Sequence, residues 1–201
     1  MIKAIIFDFG GPIVDWQAGM DAVYRKHEDH SNLQRDTIRD FFKQYTLGGN
    51  VGDFTGITDF YEKTKPSIDL TVEELNEIFK EARATIYVRP EMIDYIKILK
   101  NKYQIALLSN FDNGLEKFLQ EIFNIYNLFD VVISSYNVKI RKPDPRIYEY
   151  TLEKLDVRPE EAVFIDDLEK NVEGAEAVGI KGIIFKDSKQ CKLDLENILN
   201  K

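Results

Sequence analysis

The chain has 201 residues, of which 44% are hydrophobic and 31% are charged, and this composition excludes a disordered or collagen-like chain. Its net charge of -8 argues against non-specific binding to nucleic acid or anionic membranes, which requires excess cationic charge. No stretch reaches the roughly 18 apolar residues of a membrane span, and the early charge at the N-terminus does not fit a signal peptide. A single cysteine, Cys191, excludes an internal disulfide. We therefore expect a cytoplasmic protein, either a monomer or a small homo-oligomer.

Short apolar runs alternate with helical patterns along most of the chain. Five runs, at 4–7, 105–108, 131–133, 163–165 and 182–185, are typical of strands that are buried on both faces, as in a parallel sheet. Helical patterns cover 90–101, 114–123, 145–155 and 169–178. Asp144 and Pro145 predict a helix start, and Gly179 predicts a helix stop. The alternation predicts an α/β fold with a three-layer, parallel-sheet, Rossmann-like core.

The segment between the first two strands is different, because it holds no strand-like run from 16 to about 88. Helical patterns cover 17–29, 33–46, 56–64 and 71–84, the last opened by a capping box at Thr71 and Glu74. An ordinary crossover carries one helix. We therefore predict an inserted all-helical cap at 16–86, on an α/β core made of 1–15 and 87–201.

Two features of this segment leave alternatives open. The glycine-rich stretch 48–52 is either a cap loop that faces the substrate or a flexible connector. His27 and His30 share a helix face, but no third zinc ligand accompanies them. We interpret the two histidines as part of a solvated helix end.

Polar side chains follow the predicted core strands at the points where the strands end. Asp8 follows the first strand, Ser109 and Asn110 follow the second, and the pair at 166–167, both aspartates, follows the fourth. Lys142 lies in the loop after the third strand. The carboxyl ends of parallel strands share one edge, where ligands bind, so we expect these residues to converge.

Their combined chemistry is that of phosphoryl transfer. Asp8, Asp166 and Asp167 would repel one another unless they met a cation, and an oxygen-preferring ion such as Mg²⁺ satisfies this need. Lys142 would balance the remaining charge, while Ser109 and the backbone N–H groups after Asp8 could bind phosphate oxygens. A carboxylate nucleophile, a metal, a hydroxyl and a lysine suit hydrolysis through an aspartyl intermediate.

Four segments, in order, resemble the motifs of the haloacid dehalogenase (HAD) superfamily: IIFDFGG, ALLSN, KPDPRIYEY, and VFIDD followed by N, GA and VGI. The resemblance covers the whole chain, including a helical insert where capped subfamily I members carry their cap. VRPEMI and RKPDPRIY are most similar to the sugar-phosphatase branch, which includes bacterial glucose-1-phosphatases. The resemblance implies a Mg²⁺-dependent phosphatase that acts on a small phosphorylated metabolite.

The resemblance also implies roles for individual positions. The catalytic residues would be Asp8 as nucleophile, Ser109 and Lys142. The substrate-binding groups would come from Gly11, Ser109, Asn110 and Lys142. The metal would be held by Asp8, Asp166, Asp167 and the backbone carbonyl of Gly10.

One position departs from the family pattern. Phosphatases of the family usually carry a second aspartate two residues after the nucleophile, as the general acid, and Gly10 stands there in this chain. Such an acid contributes roughly 10²–10⁴-fold in rate. Its absence favours substrates whose leaving group is already stabilised, such as anomeric sugar phosphates, acyl phosphates or aryl phosphates. Water, the substrate itself or Asp15 are candidate replacements.

Two other functions compete with the phosphatase. A 2-haloacid dehalogenase would use the same Asp8 on carbon, and it too lacks the second aspartate, with tyrosine as its usual residue there. Its metal-free site makes an acidic pair at 166–167 less necessary, which favours the phosphatase. A protein that binds a phosphorylated metabolite without catalysis is the third alternative.

Overall fold

The computed structural model describes residues 1–15, 21, 35–50, 52–53, 57–66, 68 and 70–200. The strands of these residues are β1 (Ala4–Phe7), β2 (Val14–Asp15), β3 (Tyr87–Val88), β4 (Gln104–Ser109), β5 (Val131–Ser134), β6 (Ala162–Asp166) and β7 (Lys181–Ile184). Their helices are α1 (Arg35–Gly49), α2 (Ile57–Thr64), α3 (Val72–Ala84), α4 (Pro90–Leu99), α5 (Leu115–Lys117), α6 (Ser135–Val138), α7 (Pro145–Leu155), α8 (Glu169–Ala177) and α9 (Ser188–Leu199). None of these helices combines the length and hydropathy that crossing a bilayer requires.

Five strands form a parallel sheet in the order β5-β4-β1-β6-β7. The chain builds outward from β1 to β5 and then returns to place β6 on the other side of β1. The strand order therefore reverses between β1 and β6. In open parallel sheets, the crevice at such a reversal is where ligands bind. Asp8 follows β1 and Asp166 ends β6, so both lie at this point.

The sheet is covered on both faces, as the continuous apolar runs predict. In β1, Ile5 and Phe7 belong to a cluster with apolar residues of α4, α5 and α9, whereas Ala4 and Ile6 belong to a cluster with residues of α7 and α8. Alternation along a strand sends successive side chains to opposite faces. The predicted three-layer α/β core is confirmed.

The predicted helix signals also act as expected. Asp144 caps α7 through its side chain, with Pro145 in the first helical position. Gly179, just after α8, has a φ of +92°. At the start of α3, Thr71 N–H donates to the Glu74 carboxylate at 2.7 Å, and Glu74 N–H donates to the Thr71 hydroxyl at 3.2 Å, which forms the capping box.

The segment 114–123 was predicted as one α-helix, and the structure differs from this prediction. After α5 the chain continues as a wider π-helical turn over Phe118–Ile122, closed by the Phe123 N–H on the Phe118 carbonyl at 2.9 Å. Phe118 packs edge-on against Phe111, with ring centroids 5.6 Å apart. Ile122, the last residue of this turn, is 55% exposed, so the apolar pattern of 114–123 does not continue on one buried face to its end.

Helices α1 to α3 carry a separate apolar cluster, to which Phe41, Phe42, Phe60, Leu75 and Ile78 contribute. The Phe41 and Phe60 rings meet edge to face, with centroids 5.1 Å apart. This burial agrees with the predicted helical periodicity. Apart from residue 21, the helix predicted over 17–29 lies outside the described residues, as do both histidines.

Strands β2 and β3 form an antiparallel ribbon at the two ends of the helical segment. Val14 pairs with Val88, and Asp15 pairs with Tyr87. Arg89 reinforces the ribbon, because its backbone N–H donates to the Ile13 carbonyl at 2.8 Å. Two stretches far apart in sequence are thereby held beside the end of β1.

Candidate active site

The site is centred on Asp8, directly after the central strand β1. Its backbone N–H donates to the Ile165 carbonyl of β6 at 2.8 Å, which extends the ladder by one residue. The residue is only 8% exposed, and Oδ1 accepts the Phe9 N–H at 2.7 Å. The Asp8 carboxylate therefore lies at the carboxyl-terminal end of the central strand, at the point where the strand order reverses. Its backbone is fixed there by the hydrogen bond to β6.

Lys142 lies against Asp8 as a buried cation. Its side chain is 1% exposed, and Nζ lies 2.8 Å from Asp8 Oδ1 and 2.6 Å from Asp166 Oδ2. Nζ also donates to the Leu108 carbonyl at 2.9 Å. Burial lowers the pKa of Lys142, but the two carboxylates more than offset it and raise the pKa above its ordinary value. The lysine is therefore charged and fixed in place by three acceptors.

Asp166 is fully buried and has partners on both carboxylate oxygens. Oδ1 accepts the Leu168 N–H at 2.8 Å, and Asn171 Nδ2 lies 3.0 Å from both Oδ1 and Oδ2. With Lys142 on Oδ2, this carboxylate mainly orients the lysine. Asn171 is 1% exposed and belongs to the site, although sequence analysis gave it no role. Its position five residues after Asp166, in the first turns of a helix, was the available signal.

Asp167 completes an acidic group that can hold a metal ion. Asp8, Asp166 and Asp167 each offer a carboxylate oxygen, and these oxygens lie within 4.8 Å of one another. Asp167 is exposed, whereas the other two are buried. Three carboxylates face one lysine, so the group carries excess negative charge. Carboxylate oxygens are the ligands that Mg²⁺ and similar hard cations prefer, so the donor set fits such an ion.

The electrostatics of Asp8 lead to the same conclusion. Burial raises the pKa of Asp8 to about 7, with contributions from Asp166 and Asp167, while Lys142 acts in the opposite direction. A carboxylate that must act as a nucleophile at neutral pH needs further positive charge to remain ionised. A cation beside these carboxylates would supply it.

Gly11 contacts Asp167 closely enough to exclude a side chain. Its φ is +83°, and a Cβ atom there would lie 2.7 Å from Asp167 Cβ. The Gly11 N–H already donates to the Val14 carbonyl at 2.9 Å, and its carbonyl accepts from Arg89 Nε at 2.8 Å. The expected contact of this N–H with phosphate is therefore not available in this arrangement. Gly10 forms a bridge to Val14 in the same turn.

Ser109 ends β4 and Asn110 follows it, but the two residues differ in their contacts. Ser109 is buried, opposite Ser134 of β5. Asn110 uses its whole side chain on the backbone of Lys142: Oδ1 accepts the Lys142 N–H at 2.8 Å, and Nδ2 donates to the Lys142 carbonyl at 3.0 Å. Asn110, predicted to bind substrate, therefore holds the lysine loop in this structure.

Arg89 is a second residue that sequence analysis did not assign. Its guanidinium donates to the Gly11 carbonyl and forms an ion pair with Asp15 at 2.7 Å. The Tyr87 hydroxyl contacts the same Asp15 oxygen at 3.3 Å. Arg89 therefore ties the turn after the nucleophile to the β2–β3 ribbon. Its position before a helix-opening proline gave no sign of this long-range contact.

Fold and site define an α/β enzyme whose carboxylate and lysine meet at the edge of a parallel sheet, where the strand order reverses. The chain belongs to the haloacid dehalogenase-like hydrolase family, which matches residues 2–179, and it is therefore a hydrolase. The family resemblance expected from the four motifs is confirmed.

Relatives within this family catalyse different reactions. The sesquiterpene phosphatase astK of Aspergillus oryzae is 26% identical over 198 residues, which cover 98% of this chain and 96% of that protein. The (S)-2-haloacid dehalogenase 1 of a Pseudomonas species is 28% identical over 195 residues, which cover 90% and 83%. A HAD family enzyme of Bacteroides thetaiotaomicron, solved with magnesium and inorganic phosphate, matches with a TM-score of 0.70 at 20% identity, over 95% of this chain and 99% of that one.

Proposed function

We propose that the protein is a Mg²⁺-dependent phosphatase that hydrolyses a small phosphorylated metabolite through a covalent aspartyl-phosphate on Asp8. One observation carries the proposal: a buried lysine bridges Asp8 and Asp166, and a third carboxylate, Asp167, lies beside them. The excess negative charge of the three carboxylates would bind a divalent cation. The bound cation would in turn attract the negatively charged phosphate group of a substrate. The phosphatase relative supports the same reaction.

The residues that would hold Mg²⁺ are Asp8, Asp167 and the carbonyl of Gly10. Asp166 would contribute to the ion less directly than these three. When bound, the ion would polarise the phosphoryl oxygens and neutralise the carboxylates. The magnesium in the structure of the Bacteroides enzyme supports the choice of ion, and the carboxylate oxygens within 4.8 Å of one another support the choice of residues. Lys142 and Asn171 both donate hydrogen bonds to the Asp166 carboxylate. We therefore propose that the main role of Asp166 is to orient Lys142 and that its contact with the ion is secondary.

Asp8 would attack the phosphorus atom, and the bond from phosphorus to the substrate oxygen would break. The contacts of Asp8 with Lys142 and with the Phe9 N–H both fall on Oδ1, so we assign Oδ2 as the attacking oxygen. The Ser109 hydroxyl would hold a phosphoryl oxygen. Lys142, whose three N–H donors meet Asp8, Asp166 and the Leu108 carbonyl, would stabilise the phosphoryl group through its positive charge. Water would then attack the phosphorus of the aspartyl-phosphate, which releases inorganic phosphate and restores Asp8.

The substrate class follows from the missing acid. Gly10 has no proton to give, and Asp15, a candidate replacement, is engaged by Arg89 and by the Tyr87 hydroxyl. We therefore propose substrates whose leaving group needs little protonation, such as anomeric sugar phosphates or acyl phosphates. We further propose that 16–86 acts as a cap on a core of 1–15 and 87–201, which would exclude water from the site and select the substrate.

Dehalogenation is the second candidate, favoured by the dehalogenase relative. It would use Asp8 on a carbon atom and release halide without a metal. The acidic pair at 166–167 supports the phosphatase over this reaction. Binding of a phosphorylated metabolite without turnover is the remaining alternative, and the absence of an acid at Gly10 is the observation that favours it.

The test is phosphate release from acetyl phosphate, glucose 1-phosphate and glucose 6-phosphate, with and without Mg²⁺. Asp8→Asn removes the nucleophile. Asp94→Asn is a matched control, because Asp94 is an exposed carboxylate paired with Lys97 on α4. We expect Mg²⁺-dependent release that Asp8→Asn abolishes and Asp94→Asn leaves intact. No release by the folded wild type, together with halide release from a 2-haloacid, would favour the second candidate.

A further inference from the structure

Asn50 connects the helical segment to the α/β core. It lies in the turn after α1, where Gly52 N–H donates to the Gly49 carbonyl at 3.1 Å and Asp53 N–H donates to the Gly48 carbonyl at 3.0 Å. These bonds form a closed turn. The described residues of the glycine-rich stretch therefore form a defined turn.

The turn contacts residues that follow β4 and β5. Asn50 Nδ2 donates to the Asn110 backbone carbonyl at 3.0 Å, and the Ser135 hydroxyl donates to the Asn50 carbonyl at 2.5 Å. The Ser135 hydroxyl oxygen also accepts the Phe111 N–H at 3.1 Å. Next to this contact, a side chain on Gly52 would collide with Lys139. The turn is thus seated on the core through both hydrogen bonds and close packing.

Asn110 continues the connection to the catalytic lysine. Its side chain holds both backbone groups of Lys142, at 2.8 and 3.0 Å, and Lys142 Nζ reaches Asp8 at 2.8 Å. A continuous set of hydrogen bonds therefore joins Asn50, Asn110, Lys142 and Asp8. All four are described residues. Asn50 belongs to the helical segment between β2 and β3, whereas Asn110, Lys142 and Asp8 belong to the α/β core.

We propose that Asn50 is a positioning residue, whose hydrogen bond to Asn110 makes the alignment of Lys142 depend on the seating of the turn after α1. When the turn is seated, the Asn110 peptide is fixed from outside and its side chain holds the lysine loop. When the turn moves away, the Asn110 carbonyl loses this partner and the lysine loop loosens. The inference deepens the proposed function and rests on it for its kinetic consequence.

The first test does not depend on activity. Hydrogen exchange of the Lys142 backbone N–H, followed by nuclear magnetic resonance, reports how firmly Asn110 holds the lysine loop. Asn50→Ala removes one hydrogen bond but keeps the carbonyl that Ser135 binds, and it should speed this exchange about 3- to 10-fold. Exchange of the Phe164 N–H in the buried strand β6 should not change.

Asn76→Ala is the matched control. Asn76 Nδ2 also donates to a backbone carbonyl, that of Val72, at 2.9 Å, but within α3 and exposed. Asn76→Ala removes an equivalent hydrogen bond from the same helical segment but no contact with the α/β core. Hydrogen exchange of the Lys142 N–H should therefore stay at the wild-type rate. Equal Lys142 exchange in the wild type and Asn50→Ala, or acceleration by both variants, would overturn the proposal.

The second test is kinetic and uses a double-mutant cycle. Asn50→Ala should lower kcat about 3- to 10-fold in the wild type. In an Asn110→Ala background, where the side-chain link to Lys142 is already lost, it should lower kcat less than about twofold. Equal effects in both backgrounds would show that Asn50 acts by another route. Failure of the wild type to release phosphate would refute the proposed function, while the exchange experiment would still decide the role of Asn50.

Discussion

The substitution Gly11→Ala tests whether the turn after the nucleophile positions the acidic group. Gly11 has a φ of +83°, and an added Cβ would lie 2.7 Å from Asp167 Cβ and 2.8 Å from Asp167 Cγ. The left-handed backbone alone costs an alanine about 1–2 kcal/mol. The collision adds a displacement of Asp167, because the atoms that it meets are close to the backbone and cannot swing aside.

Gly179→Ala separates the two effects. Gly179 has a φ of +92°, but a Cβ there would meet only Pro159 Cβ, at 3.2 Å. Gly179→Ala should therefore lose about 1–2 kcal/mol in the free energy of unfolding, measured with urea, and Gly11→Ala should lose at least as much. Only Gly11→Ala should also weaken Mg²⁺ binding, by about 10–100-fold, as expected when the support of a metal ligand is disturbed.

Mg²⁺ affinity can be measured by calorimetric titration of both variants and the wild type. Mg²⁺ affinity at the wild-type level in both Gly11→Ala and Gly179→Ala would contradict the reasoning, because Asp167 would then tolerate the displacement or take no part in Mg²⁺ binding. A loss of affinity in both variants would assign the effect to general destabilisation. The expected result is a loss confined to Gly11→Ala.

Two further predictions concern buried and partly buried charge. Lys142→Met should lower the free energy of unfolding by about 3–5 kcal/mol, because it leaves buried carboxylates without their cation; an unchanged urea midpoint would contradict this. Arg158 and Lys3 hold the pKa of Glu161 at about 2, below its ordinary 4.5, so the charged form stabilises the fold above about pH 4.5, and this contribution disappears as the pH falls towards 2. The difference in stability between the wild type and Glu161→Gln should therefore shrink over that range, and a difference independent of pH would refute the assignment.

Local signals in the sequence predicted the core well. Apolar runs predicted each strand of the parallel sheet to within a residue or two, because strands covered on both faces are apolar at every position. Asp144 with Pro145, and Thr71 with Glu74, predicted helix starts from side-chain chemistry that acts within four residues. The apolar spacing of 114–123 did not predict the π-helical turn at Phe118–Ile122, after which Phe123 meets the ring of Phe9, distant in sequence, with centroids 6.1 Å apart.

The site was predictable as a set of residues but not as a set of contacts. Strand ends bring Asp8 and Asp166 together, since parallel strands share a carboxyl edge, and the loop before α7 adds Lys142. The use of the Asn110 side chain on Lys142, and that of Asn50 on Asn110, depends on where loops meet in three dimensions. Sequence periodicity carries no information on such contacts.

A single-turnover reaction tests the covalent role of Asp8 most directly. Acetyl phosphate and Mg²⁺ are mixed with the protein in isotopically labelled water, and an acid quench is followed by mass spectrometry of the peptide that carries Asp8. A phosphatase should show a transient phosphoryl adduct on Asp8, absent without Mg²⁺ and in Asp8→Asn, with the heavy oxygen released in phosphate. Phosphate release with no adduct on Asp8 would contradict attack by Asp8 on phosphorus, and heavy oxygen retained in the Asp8 carboxylate would contradict attack by water on the phosphorus of the adduct.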